Sequence, residues 1–103
     1  MENEVLEFIE NFKKSHPEEI IDLFTNGYCY YFAIILDERF FKHGIIMYIP
    51  VYNHFCYKIC NKLYDINGEI SDPDMIKEAI SWKCYIRKEP AGSYRIIRDS
   101  ILK

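Results

Sequence analysis

His54-Phe55-Cys56-Tyr57-Lys58-Ile59, then Cys60-Asn61, then Lys62-Leu63-Tyr64-Asp65-Ile66-Asn67-Gly68, is the stretch that decides the fold of this chain. It alternates with a period of two, which is the signature of strands. Phe55, Tyr57 and Ile59 fall on one face; His54, Cys56 and Lys58 fall on the other. Asn61 marks a turn, and the return arm continues the two faces through Tyr64 and Ile66, and through Leu63 and Asp65. A two-residue turn at Cys60-Asn61 pairs Ile59 with Lys62 and Cys56 with Asp65. His54 then lies diagonal to Asp65 on one face, ~7 Å away between backbones. A turn shifted by one residue lengthens that gap, so the register is decisive. The His54 face is the less apolar of the two, which suits a partly open cleft against the start of the preceding helix.

Working outward, Ile45-Ile46-Met47-Tyr48-Ile49 reads as a further strand, opened by the His43-Gly44 break and closed by Pro50. Before it, Cys29, Phe32, Ala33, Leu36 and Phe40 share one stripe, predicting a helix from about Tyr28 to Phe40 with Thr25 or Asn26 as its cap. Val5, Phe8, Ile9 and Phe12 predict a helix from about Glu4 to Lys14. Pro17, followed by Glu18 and Glu19, starts a short helix that ends by Asn26-Gly27. After the hairpin, Asp72-Pro73-Asp74 reads as a cap with proline at the first helical position. Met75, Ile76, Ala79 and Ile80 make a short helical stripe. Trp82 to Arg87 alternates and is read as a strand, and Tyr94, Ile97 and Ile101 as a final helix. The expected architecture is α+β, with helices packed on a small antiparallel β-sheet in a single domain over residues 1–103.

The 103 residues are 50% hydrophobic and 17% aromatic, enough for one lean core and too apolar for a disordered chain. A net charge of -3 argues against nucleic-acid binding. Lys83, Arg87, Lys88, Arg95 and Arg98 form a basic patch in sequence, more simply read as a solvated face. The start, Met1-Glu2-Asn3-Glu4, lacks the basic and apolar regions of a signal peptide, and no apolar run is long enough to cross a bilayer. A cytoplasmic protein without membrane contact is therefore expected, with Cys29, Cys56, Cys60 and Cys84 as reduced thiols. Cys56 and Cys60 are separated by roughly 13 Å if extended, and no Cys-x-x-Cys pair occurs, so no metal site is expected.

Cys29, His54 and Asp65 carry the chemistry. A thiol attacks only as thiolate, and the first turn of a helix, with unpaired N–H groups and a positive dipole end, lowers its pKa. A His on a strand and an Asp on the next strand complete the order nucleophile, base, orienter. Over Gly27 to Gly68 this order and these element types resemble the papain-like cysteine peptidase superfamily in its broad sense, which includes transglutaminase-like and NlpC/P60-like hydrolases. The neighbours of Cys29 are Tyr28 and Tyr30, and the subfamily stays open.

The resemblance implies a minimal papain-like core and a hydrolase or transferase acting on a peptide, isopeptide or other amide. It implies catalysis by Cys29, His54 and Asp65 without a cofactor. The Cys29 N–H would be one oxyanion donor, with Asn26, Tyr28 or Asn53 as candidates for the second. Each residue also has an ordinary reading: Cys29 as packing on an apolar stripe, His54 as a polar residue on a wet face, Asp65 as turn chemistry. The rival function is a catalytically inactive protein of the same fold that binds a partner protein as inhibitor or adaptor. A homodimer that completes its cleft across the interface is a third possibility.

Overall fold

The computed structural model describes residues 2–25 and 27–88. The elements run α1 (Glu2–Ser15), α2 (Glu18–Thr25), α3 (Cys29–Arg39), β1 (Gly44–Ile49), a 3-10 turn (Pro50–Tyr52), β2 (His54–Ile59), β3 (Lys62–Asp65), β4 (Gly68–Ile70), α4 (Pro73–Glu78), β5 (Ile80–Ser81) and α5 (Trp82–Lys88). The fold is α+β, as expected. One antiparallel sheet, in the order β4-β3-β2-β1-β5, carries helices on both faces.

The hairpin register is the one anticipated: Ile59 opposes Lys62 and Tyr57 opposes Tyr64. Cys60 and Asn61 both adopt positive φ, 52° and 63°, the twist a two-residue hairpin turn requires. On one face Tyr57, Ile59, Tyr64 and Ile66 meet Val5 and Ile9 of α1 and Phe32 and Leu36 of α3. Tyr57 anchors this core, its hydroxyl donating to Asp37 Oδ1 at 3.1 Å and reaching the Phe40 carbonyl at 3.4 Å.

The other face differs from expectation. Cys56 is buried there with Met47, Ile49, Leu63 and Ile70, and Met75 and Ala79 close over them. Met75 of α4 and Ala79 at its C-cap thus make a second small core where a partly open cleft was expected. The cap itself is as read: Asp72 accepts a hydrogen bond from the Asp74 N–H at 2.9 Å, with Pro73 beside it.

Two local readings are corrected. Trp82 to Arg87 is helical, not a strand. In a strand, Trp82 and Tyr85 would point to opposite faces. In a helix, three residues apart, they share one, and here their rings stack at 5.5 Å while Tyr48 packs against both. Burying both aromatic rings on one side outweighs the alternation. The strand lies just before, at Ile80–Ser81, which takes Ile80 out of the preceding helix. Thr25 does not cap α3: its hydroxyl donates to the Ile21 carbonyl inside α2, and Tyr28 stands at the cap without a side-chain bond. The final helix expected at Tyr94, Ile97 and Ile101 lies outside the described residues.

Gly44 starts β1 where a side chain has no room. A Cβ there would run into the Lys58 carbonyl and the Tyr57 ring. We expect Gly44→Ala to cost about 2–3 kcal/mol, since a backbone carbonyl yields little. A thermal melt should show a fall of roughly 10 °C or more.

Candidate active site

The sequence places each of the three residues at an element boundary. Cys29 is the first residue of α3, His54 the first of β2 and Asp65 the last of β3. The hairpin brings the last two together: His54 Nε2–H donates to Asp65 Oδ2 at 2.9 Å. Asp65 is itself held, because its Oδ1 accepts the Asn67 N–H at 2.8 Å. The turn reading of Asp65-Ile66-Asn67-Gly68 and the orienting role are therefore compatible. One carboxylate oxygen closes the turn and the other holds the imidazole.

With Nε2 taken by Asp65, Nδ1 is the nitrogen left to face Cys29, and the thiol and imidazole are near enough for each to shift the other's pKa. The Cys29 sulfur also accepts the Phe55 N–H at 3.4 Å. That N–H is available because the pairing of β3 with β2 runs only from Tyr57 to Ile59. Cys29 comes from the helix face of the sheet, so the three groups meet at the end of the sheet rather than in a cleft on the His54 face.

The electrostatics favour an ion pair. Burial pushes the Cys29 thiol up, but the His54 hydrogen bond, the Phe55 N–H, the imidazolium charge and the Tyr30 N–H outweigh it, leaving the pKa lowered. Burial pushes His54 down, but bonds to Asp65 and Cys29 and their charges raise it to about 9. Each shift is the counterpart of the other, as expected of coupled groups. Cys56, a few residues along β2, is pushed up to about 12, by burial first and then by the Asp65 and Cys29 charges. Two buried thiols in one small protein are thus driven in opposite directions.

The oxyanion candidates separate. The Tyr28 N–H is used in a bond to the Leu23 carbonyl at 2.9 Å, so it is not a donor toward the site. Asn53, left-handed at φ 47°, ψ 48°, immediately precedes His54. Its Oδ1 accepts the Tyr48 hydroxyl at 2.6 Å, an arrangement that leaves its NH₂ as the donor end. Asn26 lies outside the described residues.

Sequence reading missed that Trp82 and Tyr85 join an aromatic wall beside Cys29. Tyr48, Phe55 and Trp82 are buried with Cys29, and Tyr30 and Tyr85 pack against them. Trp82 sits 53 positions after Cys29, and no local periodicity connects them. The one available signal was Tyr48, which must share a sheet face with Phe55 once β1 and β2 pair.

A family model described as Phage YunG-like protein matches residues 5–95. The chain belongs to the phage YunG-like family. The match to the YunG-like model spans Cys29, His54, Asp65 and Trp82, so the whole constellation lies within the family's extent. No curated protein and no solved structure matches this YunG-like chain.

Proposed function

We propose that this protein is a small papain-like thiol hydrolase or transferase acting on a peptide, isopeptide or other amide bond. The observation that carries the reading is the His54–Asp65 bond of 2.9 Å, with the Cys29 thiol drawn down by the same imidazole. The Cys29 thiolate attacks the carbonyl carbon, and the Cys29 N–H and the Asn53 amide meet the developing oxyanion. Imidazolium His54 donates its proton to the leaving amine as the C–N bond breaks, leaving a thioester on Cys29. Neutral His54 then takes a proton from water, or from an acceptor amine in a transferase. The incoming oxygen or nitrogen displaces the sulfur and regenerates the ion pair. Asp65 holds the Nε2–H tautomer throughout. No cofactor enters the scheme. The partner is a protein or peptide, in a cytoplasmic setting; among the described residues no helix is long and apolar enough to cross a membrane.

The second reading is a partner-binding protein of the same fold without turnover. It draws support from Cys29 being 7% exposed behind aromatic rings. Incubation with a panel of peptide and isopeptide substrates, read by mass spectrometry for product and for a thioester on Cys29, separates the two. Turnover that persists in Cys29→Ala sinks the first reading.

The pH profile follows from the two shifts. Hydrolysis rises as Cys29 ionises on its lowered pKa and falls again as His54 loses its proton near 9. Alkylation of Cys29 rises through the same first ionisation and does not fall above 9, because the thiolate persists there. A bell for turnover and a plateau for alkylation are the expected pair of curves.

A further inference from the structure

We propose that the open edge of β1 binds an extended, acidic polypeptide segment as an added strand. β1 pairs with β2 along all six residues, but with β5 only through Met47 and Tyr48. In that register the place opposite Ile46 falls to Trp82, where the chain has already left the sheet to form α5. On the side away from β2, residues 44–46 therefore have no strand beside them among the described residues.

The polarity of the edge follows from the site. The Phe55 N–H goes to Cys29 and not to β1, so Tyr48 and Phe55 form a pair that exchanges no bonds. Ile45, Met47 and Ile49 then carry the bonds to β2, while Gly44, Ile46 and Tyr48 point the other way. β5 covers Tyr48. The N–H and C=O of Ile46 are left facing outward, the backbone pattern that an added strand reads.

A groove of about 280 Å³ lies along this edge, lined by Phe41, Lys42, Ile45, Trp82 and Lys83. Phe41 and Ile45 are 64% and 46% exposed, an apolar wall with nothing over it among the described residues. Lys42 and Lys83 are exposed on its rim, and Lys58 stands across from Ile45 on β2. The acidic group in the groove, Asp37, accepts the Tyr57 hydroxyl at 3.1 Å. Two lysines against one carboxylate in the groove, with Lys58 beyond it on β2, in a chain of net charge -3, give this edge a local sign that selects an acidic guest. The groove opens at the Gly44 end of β1, away from the Ile49 end that pairs with His54. It shares Trp82 with the aromatic wall around Cys29, but its open edge and lysines lie outside the thiol site, and the proposal does not rest on the catalytic reading.

Trp82 is the only tryptophan of the chain and lines the groove, so its emission reports occupancy. The probe is a short capped peptide alternating glutamate and valine. A saturable change in Trp82 emission is expected, weakened about tenfold in the Lys42→Glu, Lys83→Glu double variant. A lysine–valine peptide should prefer that variant, and backbone N-methylation of the glutamate–valine peptide should abolish binding. Far-ultraviolet circular dichroism establishes that the variant is folded, and a salt titration of the wild type gives the same charge dependence without mutation. No response to the acidic peptide, equal binding of the lysine peptide to the wild type, or indifference to N-methylation overturns the proposal. So does a concentration-dependent change in Trp82 emission without peptide, which would assign the edge to a second copy of this chain.

Discussion

In His54→Ala, alkylation of Cys29 by iodoacetamide at neutral pH should slow by about one to two orders of magnitude. The imidazole supplies both the hydrogen bond and the charge that hold the thiol below its ordinary value of 9.0. Without it, burial is the largest influence left, and burial favours the protonated form. The Phe55 and Tyr30 N–H groups remain and offset part of the burial, so the loss is graded. Residue-by-residue mapping by mass spectrometry provides the controls within one molecule. Cys56, 1% exposed and pushed up to about 12, should stay inert in both proteins. Cys60 and Cys84, which are exposed, should react alike in both. If Cys29 reacts at the same rate with and without His54, the ion pair does not exist and the hydrolase reading goes with it. Asp65→Asn should give an intermediate rate. The amide can still hold the turn at Asn67 but brings no charge to the imidazole.

Tyr57→Ala should destabilise the fold more than Gly44→Ala does. The side chain is 0% exposed at the centre of the sheet and packs with Phe32, Leu36 and Phe40. Its loss opens a cavity the size of a ring and removes the hydroxyl bonds to the Asp37 carboxylate and the Phe40 carbonyl, which keeps its bond from the His43 N–H. The expected cost is about 3–5 kcal/mol, which lowers the melting temperature of a domain this size by roughly 15–30 °C. Tyr57→Phe separates the two contributions. It keeps the ring and removes the hydroxyl, so it should cost only about 1–2 kcal/mol. Should the two variants melt together, packing at this position is not what holds α3 on the sheet. Chemical denaturation of both proteins, at matched pH, is the measurement.

The hairpin was legible because its rules are local. Alternation over His54–Ile59 assigns the faces, and the two-residue turn sets the register. Cys56 and Asp65 then share a face, and His54 reaches Asp65 across the diagonal. The start of α3 was legible to within a residue, though Tyr28 rather than Thr25 stands at the cap. Asp72-Pro73 was legible for the same reason, as a cap acts within one turn.

Other features depended on partners distant in the chain. The His54 face looked wet because its residues are not aromatic, yet Met75 and Ala79 fold back over Cys56 and Leu63. That burial is set by where α4 crosses the sheet, which no short window encodes. Trp82–Lys88 alternates like a strand and folds as a helix, because the rings of Trp82 and Tyr85 both find Tyr48. Residue types and spacing by themselves determined β1, β2 and β3, the turn and the His54–Asp65 pair, since period and turn geometry act over a few residues. The meeting of Cys29 with that pair, the Phe55 N–H aimed at its sulfur and the aromatic wall around it were decided only by tertiary packing. Burial free energy is shared among groups tens of residues apart, and only the assembled core determines which of them meet.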